Sequence, residues 1–300
     1  MKTKNGVFFS FSFFGVDAIN PSAFFVKCAW VIVFAIGLSG LPAAALSDDA
    51  WKTLAPGLEL GSFALASEDG SGHVPLTILR VDPKHWEFDL LTQRELQIPN
   101  GLTAKQWCKD HQLVAAINAG MFATDRLTHL GYLKRGDEVH NNHVNKYQSV
   151  AAFGARQPGL SAFRIFDLDR AGTSVRAIAS DYSHVVQNLR LIKKPGENRW
   201  SAQNKRWSEA ALGEDQLGRA LLIFSRGPFS MHVLNQRLLG LGIDLVAAQH
   251  LEGGPEAQLF VQFGETTFEG FGSFETGFMN NDGNPFPWPI PNVIAVRARQ

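Results

Sequence analysis

Leu251-Glu252-Gly253-Gly254-Pro255-Glu256-Ala257 directly follows the apolar run Leu245-Val246-Ala247-Ala248. A short apolar run closed by turn residues reads as a buried strand. Paired glycines at its end let the backbone turn sharply and approach a ligand closely. Glu252 and Glu256 flank that turn. A strand end fixes a carboxylate while the following loop leaves it open, as on the floor of an active site. The plainer alternative is a strand-to-loop turn with solvated glutamates.

Two further segments share this design. Leu113-Val114-Ala115-Ala116-Ile117 ends in Asn118-Ala119-Gly120-Met121-Phe122, and Ala220-Leu221-Leu222-Ile223-Phe224 ends in Ser225-Arg226-Gly227-Pro228. Three buried strands, each closing on a polar residue and glycine, predict one rim on which Asn118, Arg226 and Glu252 converge. Elsewhere the pattern alternates from Leu58 to Leu91 with turns at Asp69-Gly70-Ser71-Gly72 and Asp82-Pro83, which reads as an antiparallel meander. Thr103 is placed to cap a helix over the next residues. A hairpin is expected around Arg135-Gly136-Asp137, with strands at 150–154 and 162–166 and a further strand over 185–191. From Ser230 to Leu239 the spacing of Met231, Val233, Leu234, Leu238 and Leu239 suits one buried helix face, ended by Gly240. The tail from Phe263 reads as a surface wrap before a last strand over 292–297. The fold class that follows is α+β, a single domain of mainly antiparallel or mixed β-sheet covered by a few helices.

The 300 residues carry 28 basic and 28 acidic side chains, so charge favours neither nucleic acid nor an anionic membrane. The apolar run Ala29 to Leu38, followed by Ala43-Ala44-Ala45 and then Ser47-Asp48-Asp49, reads as a secretion signal over residues 1–45. The Phe-rich leader before it is long for a signal, which points to a start near Val26. The mature domain is then 46–300, with no membrane span and a periplasmic or secreted location. Cleavage removes Cys28 and leaves Cys108 alone, within the Thr103 helix, where a free cysteine reads as a small core residue.

At these residues the chain resembles the phosphodiester glycosidases. That family carries an Asn-Gly-Gly-Phe-like turn, which Asn118-Ala119-Gly120-Met121-Phe122 is similar to, and a strand ending in Leu-Asp-Gly-Gly, which Leu251-Glu252-Gly253-Gly254 is similar to. Between them Glu209-Ala210-Ala211-Leu212-Gly213 stands where the family has an Arg-small-Ala-aliphatic-Gly motif, with glutamate for arginine. The resemblance runs from about Leu60 to Arg297. It implies an exported hydrolase that cleaves the glycosidic bond of a sugar-1-phosphodiester or envelope glycan.

Glycosidic cleavage commonly uses two carboxylates. Glu252 is the leading catalytic candidate and Glu209 the second. His250 stands two residues before Glu252, on the same face of an unbroken strand. Arg226 is the expected phosphate clamp, because a guanidinium grips phosphate oxygens in two-pronged fashion. Lys134 is an alternative for that role, Asn118 a donor to sugar or phosphate, and Glu256 a further substrate-binding carboxylate. Each has a plain alternative as a surface, turn or salt-bridged residue. His140-Asn141-Asn142-His143 offers a His pair but no third ligand in sequence, and reads as a solvated loop; no metal or cofactor is expected. The rival readings are a non-catalytic carbohydrate-binding protein, which the Glu209 departure favours, and a metal-dependent phosphodiesterase built on His250 and the glutamates. Oligomeric state has no signature in the sequence.

Overall fold

The computed structural model describes residues 50–299; the segment 1–45, expected to be a secretion signal, lies outside them. β1 (Trp51–Ala55), β2 (Leu58–Ala66) and β3 (His73–Val81) form an antiparallel meander. β4 (Trp86–Thr92) departs from the expected meander and pairs with the last strand of the chain. The reason is that β3 has no free edge, since β2 occupies one side and a later strand the other.

Helix α1 (Ala104–Asp110) starts at Thr103 with a reciprocal capping box: the Thr103 side chain accepts from the Gln106 backbone while the Gln106 side chain reaches back. β5 (Ala115–Asn118) follows, then the hairpin of β6 (Leu133–Arg135) and β7 (Glu138–Asn141), then β8 (Ser149–Ala155) and β9 (Phe163–Asp167). Helix α2 (Val175–Asp181), unexpected from sequence, is capped by Ser174. Next come β10 (Tyr182–Asn188), β11 (Arg190–Lys193), β12 (Glu197–Asn198), β13 (Trp207–Asp215) and β14 (Ala220–Phe229). Helix α3 (Met231–Leu239) has the expected Ser230 and Gly240 at its ends. β15 (Leu245–Gly253) leads through one 3-10 turn, Gly254–Glu256, into β16 (Gln258–Phe263) and β17 (Thr266–Phe271), and β18 (Asn292–Ala298) closes the chain. The tail from Phe263 therefore contributes one strand, β17, which pairs with β16, before it becomes the surface wrap that was expected.

The strands make three sheets, ordered β1-β2-β3-β14-β13-β15-β11-β12, β7-β6-β10-β8-β9 and β17-β16-β5-β18-β4. Every pairing among the described strands is antiparallel. One central core is shared by all three: Leu212, Leu222 and Leu251 from the first, Phe153, Ile165 and Val186 from the second, Leu90, Ile117 and Ile294 from the third. The outer face of each sheet is covered by its own helix. Leu221, Ile223 and Ala211 meet Leu234 and Leu238 of α3; Ala116, Val293 and Leu91 meet Trp107 and Cys108 of α1; Val150, Ala152 and Val185 meet Val175 and Ile178 of α2. Alternate residues of one strand thus enter different cores. This explains why the diagnostic runs are continuously apolar rather than alternating, since both faces are buried.

Candidate active site

β14 and β15 flank β13 and both run antiparallel to it, so they finish at the same edge of the sheet. Glu209 of β13 sits between those two ends, opposite Ser225 on one side and Gly253 on the other. Its side chain is 1% exposed. A carboxylate buried this deeply needs partners, and it has two. His250 Nδ1 lies 2.7 Å from Glu209 Oε1 and 2.9 Å from Oε2, and Trp207 Nε1 donates to Oε2 at 2.7 Å. Trp207 stands two residues before Glu209 on the same strand, hence on the same face. Among the described residues His250 Nε2 has no hydrogen-bond partner, and it is not one of the fully enclosed polar atoms. Nε2 of the pair therefore keeps some contact with solvent, although His250 as a whole is only 4% exposed.

Burial alone would push the His250 imidazole down, but the charge and hydrogen bond of Glu209, with Glu252 and Glu275 beyond, hold it above its ordinary value. Burial raises the Glu209 carboxyl too, against the opposing pull of His250 and Trp207. Both shifts point the same way: the Glu209–His250 pair keeps its proton to higher pH than either group would alone.

Glu252 is arranged differently from expectation. The register shifts between Ala210 and Ala211, with Ala210 opposite Glu252 and Ala211 opposite His250, so Leu251 is an extra residue in β15. Such a β-bulge re-aims side chains at a strand end. Leu251 and Ala210 enter the central core while Ala211 enters the α3 core. The bulge breaks the simple alternation that placed His250 and Glu252 on one face. Glu252 remains within electrostatic reach of His250, Glu209, Glu256 and Tyr147. It is partly exposed, and its Oε1 accepts the Gly253 N–H at 3.1 Å. Burial pushes its carboxyl up to about 8; the positive field of His250 and the Gly253 bond oppose this, and the charges of Glu256 and Glu209 add to it. At neutral pH Glu252 is thus a protonated acid.

Asn118 is drawn into the same construction from another sheet. Its Nδ2 donates to the Glu256 carbonyl at 2.9 Å, and its Oδ1 accepts from the Gln258 N–H at 2.6 Å. Asn118 therefore clamps the turn after Glu252, and the two expected rim residues meet through the backbone. The glycines of that turn are required by packing. A Cβ on Gly253 would lie 2.7 Å from the Trp207 ring, and one on Gly254, where φ is +62°, would lie 2.5 Å from Glu275 Oε2. Glu256 is raised by burial and by the nearby charge of Glu275, and lowered by Arg126.

Arg226 and Lys134 are engaged elsewhere. Arg226 Nε donates to Asp282 at 2.7 Å, Nη1 to the Phe271 carbonyl at 2.8 Å and Nη2 to the Asn284 carbonyl at 3.0 Å. Its guanidinium binds the C-terminal loop. Lys134 is buried and donates to the carbonyls of Ala179 and Tyr182, tying β6 to the end of α2. The cation whose field does reach the site is Arg126, on the loop after Asn118, held by the Pro289 carbonyl at 2.9 Å. Arg126, Glu275, Trp207 and Tyr147 were missed from sequence. Only Trp207 carried a signal, its two-residue spacing from Glu209; the others arrive from loops.

A family model described as phosphodiester glycosidase matches residues 111–297. In fold, the chain is similar to the catalytic domain of zebrafish N-acetylglucosamine-1-phosphodiester alpha-N-acetylglucosaminidase, auto-inhibited by its pro-peptide. The TM-score is 0.60 at 15% identity, covering 83% of this chain and 86% of that one. It is also similar to a hypothetical protein from Synechocystis, with a TM-score of 0.56 at 14% identity, covering 83% of this chain and 63% of that one. No curated protein matches the chain in sequence.

Proposed function

The chain belongs to the phosphodiester glycosidase family, and from that premise we propose that it is a hydrolase cleaving the glycosidic bond of a sugar-1-phosphodiester outside the cytoplasm, after removal of residues 1–45. The observation that carries the reading is the contrast between two carboxyl groups at one strand edge. Glu252 is held protonated by burial, while Glu209 is committed to a hydrogen-bonded pair with His250 whose Nε2 has no hydrogen-bond partner. Burial raises both carboxyls, but only Glu209 is paired with an imidazole, so the two groups have different partners from which to give or take a proton.

In the proposed reaction, the form of the Glu209–His250 pair with His250 Nε2 unprotonated takes a proton from water, which bonds to the anomeric carbon. The bond from that carbon to the bridging oxygen breaks, and the oxygen leaves on a phosphate monoester. Glu252 donates a proton or hydrogen bond to the departing oxygen. A phosphate monoester is already a good leaving group, so a hydrogen bond donated by the protonated Glu252 to the charge developing on that oxygen can suffice without full proton transfer. Arg126 is the candidate phosphate partner, since the Arg226 donors are occupied by the C-terminal loop. Asn118 acts through the Glu256 turn as a positioning residue.

The test is incubation with a glycosyl-1-phosphodiester and identification of the products. Free sugar with phosphate monoester is expected. Sugar-1-phosphate would instead mean cleavage of the phosphodiester bond, and binding without turnover would support the carbohydrate-binding reading.

A further inference from the structure

We propose that Glu95, Glu138 and His140 form a zinc site, separate from Glu252, that clips the five-stranded sheet containing β6 and β7 to the loop after β4. One ligand atom from each residue lies within 4.8 Å of the others, the single such convergence among the described residues. Glu95 stands in the turn that leaves β4, where its N–H meets Thr92 Oγ1 at 3.3 Å. Glu138 and His140 belong to β7, at the edge of another sheet. The His140-Asn141-Asn142-His143 segment showed no third ligand in sequence because that ligand comes from a distant loop. His143 is not one of the three, and its backbone N–H donates to Asn141 Oδ1.

The state of His140 is a second, independent observation. Its side chain is only 4% exposed, yet neither ring nitrogen has a hydrogen-bond partner, and Glu95 Oε2 is likewise enclosed and unpartnered. Buried polar groups without partners are rare and costly. His140 Nε2 stands 3.5 Å from Glu95 Oε2, and Nδ1 stands 3.9 Å from Glu138 Oε1. A gap of 3.5 Å is too long for a good hydrogen bond. It is close to the separation, roughly 3.4 Å, of two ligands on one tetrahedral zinc ion with bonds of about 2.0–2.2 Å. Glu138 is 61% exposed, so it has room to swing onto the ion, with water completing four ligands.

The surroundings agree with this assignment. The other oxygen of Glu95 accepts from Arg135, leaving Oε2 free and fixing the carboxylate plane, as outer partners do around metal ligands. Arg135 is itself countered by Asp89, which also meets Arg297 and His184. Imidazole with carboxylates suits zinc better than magnesium, which prefers an all-oxygen shell.

The experiment strips the purified chain with a chelator, then titrates it with Zn2+ in competition with a chromophoric chelator, alongside thermal melts. One equivalent should bind, and at a hundredfold excess over Kd the Tm should rise by roughly 5–10 °C. Glu138→Gln, at an exposed position that cannot threaten folding, should weaken Zn2+ binding by about tenfold or more; His140→Gln should abolish it. Absence of Zn2+ uptake by the wild type would overturn the proposal, and would mean that water satisfies His140. Glu138→Gln binding with wild-type affinity would overturn it equally.

Discussion

Replacing Glu252 by Gln keeps the shape of the side chain and removes its titration, and the structure predicts an unusual consequence for stability. The folded carboxyl is held up to about 8, against an ordinary value of 4.5. Below about pH 4.5 the group is protonated in both folded and unfolded chains and contributes nothing to pH dependence. Between about 4.5 and 8 the unfolded chain releases the proton while the folded one retains it. Stability then falls by about 1.4 kcal/mol for each pH unit. Above about 8 the folded group ionises too and the loss levels off. The wild type should lose on the order of 5 kcal/mol across that window, reduced by whatever solvent reaches the partly exposed side chain.

Glu252→Gln should escape this loss. The two proteins should melt together near pH 4.5, and the variant should be the more stable at pH 8.5, by several degrees in Tm. Turnover should move the opposite way, falling by a hundredfold or more because Gln cannot donate the proton. In the wild type, activity should decline above about pH 8 as Glu252 ionises. Melting curves from pH 4.5 to 9 and release of free sugar measure both effects on the same samples. Superimposable Tm profiles would show that burial does not hold Glu252 protonated, and the assignment of the acid would fall with it.

Asn118→Ala strands the Glu256 carbonyl and the Gln258 N–H together, so the urea midpoint should drop by the equivalent of about 2–4 kcal/mol; a change under about 0.5 kcal/mol would mean the clamp is idle. Gly253→Ala drives a methyl to 2.7 Å from the Trp207 ring and should cost about 1–3 kcal/mol, with turnover lost because Trp207 holds Glu209. Arg226→Lys cannot reproduce the donors that hold the Phe271–Asn284 loop, and should lower Tm while leaving KM within about twofold. A large rise in KM without a change in Tm would return Arg226 to the substrate.

What could be read from sequence, and what could not, follows the range of the interactions. Thr103 and Ser230 start helices through contacts made within three residues, so residue type and position announce them. The runs at Leu113, Ala220 and Leu245 are strands because both faces are buried, and an uninterrupted apolar run records that directly. The rim was half legible for the same reason. Two strand ends finish side by side because both pair with β13, and Glu209 lies between them on that strand.

The departures arise wherever a distant segment decides the outcome. The bulge at Leu251 has no local mark; it is set by the register of β15 against β13, and it breaks the alternation from which a shared face for His250 and Glu252 was expected. Arg226 has the composition of a phosphate ligand, yet Asp282 and two loop carbonyls claim its donors. Lys134 is likewise claimed by two carbonyls at the C-terminal end of a helix that sequence did not show. Glu275 reaches the Gly253-Gly254 turn from the C-terminal wrap, and Glu95 reaches His140 from the loop after β4. A side chain's chemistry names the ligands it could bind, but its neighbours take the first claim on it. At this strand edge the neighbours leave His250 Nε2 without a hydrogen-bond partner and take only one oxygen of Glu252, which is why the proposed reaction is built on those two groups.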